Sequence, residues 1–225
     1  MEACGLNHSL RGFARVGFEQ SKDEDASGTG REPVLEISAE NEFAIQDLLA
    51  AFEDETNAQA KYLAFAEKAD AEQLHGAASL CRAAARSEHF HAARHARAMR
   101  QLGVDVQCAP RKTEVKSTLE NMRDALESEE HEIAEMYPGV LEAARKQKNQ
   151  TVIRSFTWAM EAEKSHAVLY GEAVALLEAG RSDSWIEDGR AFYVCPECGY
   201  TAETLKRDES CPVCRCSQER FEAVE

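Results

Sequence analysis

Seven carboxylate and imidazole residues recur at spacings that suit metal chemistry. Glu88 and His91 stand three positions apart, as do Glu163 and His166, and the two pairs are 75 residues apart. On a helix, side chains at i and i+3 share a face, so each pair offers an oxygen and a nitrogen to one point. Each pair also follows an earlier glutamate by the length of an antiparallel return: Glu55 precedes Glu88 by 33 residues and Glu132 precedes Glu163 by 31. Glu129 lies one turn from Glu132. The 75-residue offset also carries Tyr62 onto Tyr137, so the region reads as an internal repeat of a helix hairpin. With 31 Glu and 7 His in 225 residues, chance supplies about one Glu-x-x-His pair. Three occur, and the third, Glu72/His75, sits at a helix end with no partner stripe.

Five glutamates on inward helix faces cannot be buried without cations, because like charges in a low dielectric raise one another's pKa or open the bundle. Two divalent cations nearly cancel that charge, and two neutral imidazoles complete the donor set. An oxygen-rich set with two His suits iron or manganese better than zinc. One Glu from each of two helices, with Glu-x-x-His from the other two, is the di-metal carboxylate arrangement of helix bundles. A second metal site is written in sulfur. Cys195-Pro-Glu-Cys198 and Cys211-Pro-Val-Cys214 are two Cys-x-x-Cys knuckles separated by twelve residues. Four thiolates so spaced bind one tetrahedral iron or zinc. A unit of about 35 residues has too little core to fold without such a staple. Cys216, just past the fourth ligand, reads as a surface thiol or an accidental neighbour. Cys4, Cys81 and Cys108 read as isolated thiols.

The elements that must position these residues are helices. Four long segments are predicted, over about 43–72, 76–102, 117–148 and 151–179, with Ser117-Thr118 as a cap and Gly103 and Gly180 as stops. Joined by short turns, they make an antiparallel four-helix bundle. Pro138 predicts a kink near Met136–Pro138. The organisation expected is an N-terminal extension over 1–40, a ferritin-like bundle over 41–180, a linker over 181–190 and a rubredoxin-like Cys4 unit over 191–225. The fold class is mainly α. A net charge of −15 argues against nucleic acid as a partner. No apolar run reaches the about 20 residues that a membrane span requires. The N-terminal residues lack the apolar core of a secretory signal, so a cytoplasmic setting is expected.

Together, AFEDETNAQAKY, SEHFHAAR, ESEEHEIAEMYP, EAEKSH, VCPECGY and SCPVC resemble the rubrerythrins. These are ferritin-like bundles with a non-haem diiron site and a C-terminal FeCys4 unit. Carried over by position, the resemblance implies diiron ligands Glu55, Glu88, His91, Glu129, Glu132, Glu163 and His166. It also implies an iron in Cys195, Cys198, Cys211 and Cys214, where zinc is possible. The 75-residue offset maps Glu55 onto Glu130, but the MYP anchor and the shared face with Glu132 favour Glu129. Tyr62 and Tyr137 match tyrosines that hydrogen-bond ligating carboxylates. The implied activity is peroxidase: hydrogen peroxide is reduced to water with electrons relayed through the FeCys4 centre, in oxidative-stress defence. Glu132 and His91 would exchange at one iron, and an upstream reductase or rubredoxin would supply electrons. A homodimer is expected, with one chain's Cys4 unit near the other's diiron site. His95, which shares a stripe with His91, is expected beside the ligands or packed in the core, with an additional ligand as the other reading. Rival readings are a diiron ferroxidase or oxidase using dioxygen, and a non-catalytic metal-binding protein with a zinc ribbon. The resemblance does not explain residues 1–40.

Overall fold

The computed structural model describes residues 5–6, 39–180, 185, 188–205 and 209–225. The extension expected over 1–40 and the linker expected over 181–190 therefore lie mostly outside the described residues. Helix α1 (Ala39–Ala71) and helix α2 (His75–Gln101) form the first hairpin. The second begins with α3 (Thr118–His131), which runs without a break through a π-helical turn (Glu132–Met136) into α4 (Tyr137–Gln147). Helix α5 (Gln150–Glu178) completes an antiparallel four-helix bundle, the fold class expected. Gly103 (φ 84°) and Gly180 (φ 60°) take the left-handed conformation that ends a helix.

The kink expected at Pro138 is a π turn that ends before it. Glu55 and Tyr62 are seven residues apart, two α turns, whereas Glu129 and Tyr137 are eight apart. A π turn absorbs one extra residue, so both tyrosines still point inward. The same insertion explains why the 75-residue offset fails at Glu129 and holds again at Tyr137. Glu129 is 1% exposed, while Glu130 is exposed at the surface.

Apolar side chains gather at the two ends of the bundle. One core holds Phe65, Ala69, Leu80, Met122 and Tyr170; the other holds Leu48, Met99, Leu141, Val152 and Phe156. Burying each large side chain stabilises the fold by about 1.5–3 kcal/mol. The polar residues lie between these two cores. Helix α2 buries Ala77, Ala78, Ala83, Ala84 and Ala85, small side chains that let its neighbours approach closely. After the bundle, β3 (Phe192–Val194) pairs antiparallel with β4 (Thr201–Ala202) and β5 (Glu222–Val224), giving the order β4-β3-β5. Phe192 and Val194 belong to the first bundle core, so this small sheet is anchored on the bundle itself. A separate pair joins β1 (Gly5–Leu6) to β2 (Val106–Gln107). Cys108, next in the chain, is disulfide-bonded, which corrects the expectation of an isolated thiol there. That long-range pairing of the chain start has no local signature.

Ser117 caps α3 as expected: its hydroxyl accepts from the Glu120 N–H, and the Glu120 carboxylate accepts from the Ser117 N–H. Ser117→Ala should cost about 1 kcal/mol, lowering the unfolding midpoint by about 2–4 °C in thermal circular dichroism. An unchanged midpoint would show that the cap contributes nothing.

Candidate metal centre

The seven predicted Glu and His residues are all buried mid-bundle, one or two from each of the four long helices. Six of them close into two overlapping donor groups. Glu55, Glu88, His91 and Glu163 form one; Glu88, Glu129, Glu163 and His166 form the other, with ligand atoms within 4.8 Å of one another in each. His91 Nδ1 lies 2.8 Å from Glu88 Oε2 and 2.7 Å from Glu163 Oε1. His166 Nδ1 lies 2.7 Å from Glu163 Oε2 and 3.4 Å from both Glu88 Oε1 and Glu129 Oε2. Glu88 and Glu163 are therefore shared, each with one oxygen toward either imidazole. Glu132 is buried beside them, at the start of the π turn, but belongs to neither group.

Each of the seven residues carries a buried side-chain atom without a hydrogen-bond partner, including both oxygens of Glu88 and of Glu163 and Nδ1 of both histidines. Buried polar atoms are normally satisfied. Such a concentration of converging orphans fits a pair of cations, and the donor chemistry fits hard or borderline metals.

The surroundings fix these donors. Tyr62 donates to Glu129 Oε1 at 2.5 Å, and Tyr137 donates to Glu55 Oε1, so each hairpin's tyrosine holds the other hairpin's glutamate. His95 is buried but stands back: its Nδ1 is 2.9 Å from Ser155 Oγ, and its Nε2 is 3.4 Å from the Tyr137 hydroxyl and 3.8 Å from Glu55. His89 and His131 are exposed.

The Cys4 unit supplies the remaining partners. Cys195, Cys198, Cys211 and Cys214 form one donor group. His91 Nε2 lies 3.0 Å from the Cys198 carbonyl oxygen and His166 Nε2 lies 3.1 Å from Thr201 Oγ1. With Nε2 donating the proton to Cys198, His91 Nδ1 keeps its lone pair for the donor cluster. Ser87 donates to the Gly199 carbonyl at 2.7 Å, and the Thr201 N–H donates to Ser165 Oγ at 3.1 Å. A side chain at Gly199 (φ 82°) would run into His91 Nε2 and Ser87 Oγ, so only glycine admits this approach. All these contacts lie within one chain. Thr201, Ser87, Ser155 and Ser165 escaped the sequence reading because small hydroxyl residues carry no motif; only the i+2 spacing of Gly199 and Thr201 ties them to a knuckle.

A rubrerythrin family model matches residues 47–174, more than half of the chain. The chain belongs to the rubrerythrin family. It is 33% identical to rubrerythrin-2 of Clostridium acetobutylicum over 83% of this chain and 100% of that one. Nigerythrin of Nitratidesulfovibrio vulgaris is 29% identical over 80% of this chain and 85% of its own. A structure of fully reduced, all-ferrous nigerythrin superimposes with a TM-score of 0.69 at 25% identity, covering 99% of this chain. The rubrerythrin family model covers the bundle residues but not the Cys4 knuckles.

In this rubrerythrin-family bundle, the crowding of carboxylates and imidazoles shifts their affinities for protons. Burial, then repulsion from Glu88, pushes Glu163 up to about 8. Burial and Glu129 raise Glu88, and burial with Glu55, Glu163, Glu129 and Glu88 raises Glu132 well above the carboxylate range. Burial opposes charge on His91 and His166, but facing carboxylates, Glu163 for one and Glu129 for the other, raise both. Glu55 is the exception: burial raises it, but the His91 and His95 imidazoles facing it at 3.8 Å outweigh burial and lower it. The raised groups bind protons that the unfolded chain has released, so stability falls as pH rises through their folded pKa values. The Glu55 contribution is lost only in acid, outside that window. The metal-free protein should therefore unfold at a lower temperature at about pH 8 than at about pH 5.5, and metal should flatten the dependence. A metal-free midpoint that rises over this interval would contradict the account.

Proposed function

We propose that this chain is an electron-fed peroxidase, reducing hydrogen peroxide to water at a diiron site with electrons from an iron held by Cys195, Cys198, Cys211 and Cys214. One observation carries the reading: His91 faces the carboxylates through Nδ1 and touches the Cys198 carbonyl through Nε2. A redox-capable sulfur site and a two-metal oxygen site thus share one side chain. Glu55, Glu88, His91, Glu129, Glu132, Glu163 and His166 would hold two irons, which supply both electrons for cleaving the O–O bond in one event. The balance is one peroxide, two electrons and two protons to two waters.

The chain's own residues have separable roles. Glu88 and Glu163 face both imidazoles and hold the two positions together. Tyr62 and Tyr137 orient Glu129 and Glu55. His91 and Glu132 read as alternative donors at one position: a neutral imidazole suits the reduced state and an anionic carboxylate the oxidised one. At the edge of the donor cluster and 8% exposed, Glu132 is placed to pass a proton between a leaving oxygen and solvent. Cys198 joins the sulfur site to His91 over a single hydrogen bond, a short path for electrons entering from an external reductase or rubredoxin.

Steady-state peroxide consumption with a chemical reductant tests this. Glu132→Ala should remain folded and lose about 10²-fold or more in turnover. Unchanged turnover would remove Glu132 from the mechanism. The reduced protein should also be oxidised faster by peroxide than by dioxygen; the reverse order would favour an oxidase.

A further inference from the structure

The two knuckles repeat one another. In the first, the Cys195 N–H donates to the Tyr200 carbonyl at 2.9 Å and the Gly199 N–H to the Cys195 carbonyl at 2.9 Å. In the second, the Cys211 N–H donates to the Cys216 carbonyl at 2.7 Å and the Arg215 N–H to the Cys211 carbonyl at 3.1 Å. Gly199 (φ 82°) and Arg215 (φ 68°) both take the left-handed conformation. Cys216 therefore occupies the place of Tyr200. That turn is one an arginine adopts unwillingly, so it is imposed by the knuckle, and it directs Cys216 back toward the metal set.

The Cys216 sulfur lies 3.3 Å from Cys195 Sγ, closer than the 3.5 Å that separates Cys195 from Cys214 or Cys198 from Cys211. Yet the donor group comprises Cys195, Cys198, Cys211 and Cys214 without it. A tetrahedral site takes four thiolates, so a fifth sulfur touching one of them is left outside the coordination shell. The Cys216 thiol lies within hydrogen-bond reach of the Cys195 sulfur. A metal-bound thiolate has no proton to give, so of the two sulfurs Cys216 is the one that can donate.

We propose that the Cys216 thiol donates a hydrogen bond to the metal-bound Cys195 thiolate and thereby raises the reduction potential of the Cys4 iron. The proposal rests on the reading of this unit as an iron electron-transfer centre. A hydrogen bond withdraws electron density from the sulfur and favours the more negatively charged, reduced cluster; hydrogen bonding to sulfur is one of the protein's controls on such potentials. Cys216 touches Cys195 while His91 meets Cys198, so the donor tunes the centre from a different cysteine than the one contacting the bundle.

The test is the midpoint potential of the Cys4 centre in the full iron-loaded protein, followed by its visible absorption, in the parent, Cys216→Ala and Cys216→Ser. Cys216→Ala should have a lower potential, and Cys216→Ser, whose hydroxyl still donates, should stay nearer the parent. Equal potentials in the parent and Cys216→Ala overturn the proposal, and so does a Cys216→Ser value as low as that of Cys216→Ala. Loss of the iron–thiolate absorption in both variants also overturns it, by making Cys216 a ligand. No such absorption in the unsubstituted protein overturns the iron reading, and the proposal with it.

Discussion

Mutual repulsion among five buried glutamates is the interaction that everything else in this chain accommodates. Glu55, Glu88, Glu129, Glu132 and Glu163 are each at most 8% exposed. They are confined because apolar cores close the bundle on either side of them, and opening the middle to water would expose both. The oil at the ends therefore supplies the force that holds like charges together. Two histidines and two tyrosine hydroxyls soften the repulsion but leave oxygens without partners. A pair of cations resolves this at once, which is why the polar middle reads as a site and not as a defect.

The Cys4 unit is part of the same solution. Without it, the outer nitrogens of His91 and His166 would face solvent, and their orientation would be unset. With it, the Cys198 carbonyl and the Thr201 hydroxyl fix both rings, and Gly199 permits the approach. The small unit gains in return: Phe192 and Val194 find a core in the bundle that 35 residues could not build alone. Arg86–Glu222 and Arg94–Glu197 pairs border the contact, though partly exposed pairs add little.

Much of this was legible in the residues. Glu-x-x-His spacing, the repeated hairpin and the two cysteine knuckles are local patterns, each tied to a geometric need. The helix ends followed from Ser117, Gly103 and Gly180. What was not legible depended on contacts distant in sequence. Glu132, outside both donor groups, is the first residue of the π turn, and the only trace of that turn was an offset of 75 that failed at Glu129 and recovered at Tyr137. Pro138 was the obvious suspect for a bend, yet the irregularity precedes it. Ser155 holding His95, and Thr201 holding His166, join residues 60 and 35 positions apart through single hydroxyls, which no periodicity announces. Cys216 looked incidental in the sequence because its meaning lies in a turn shared with Tyr200.

Two cations are what the buried carboxylates require for balance. Anaerobic titration of the metal-free chain with ferrous iron, with the cysteine site already filled, tests it most directly through the unfolding temperature. The unfolding temperature should rise until two equivalents per chain are bound, and the rise should be lost in Glu88→Ala, where the shared carboxylate is removed. An unfolding temperature indifferent to iron, or unaffected by that substitution, would contradict it.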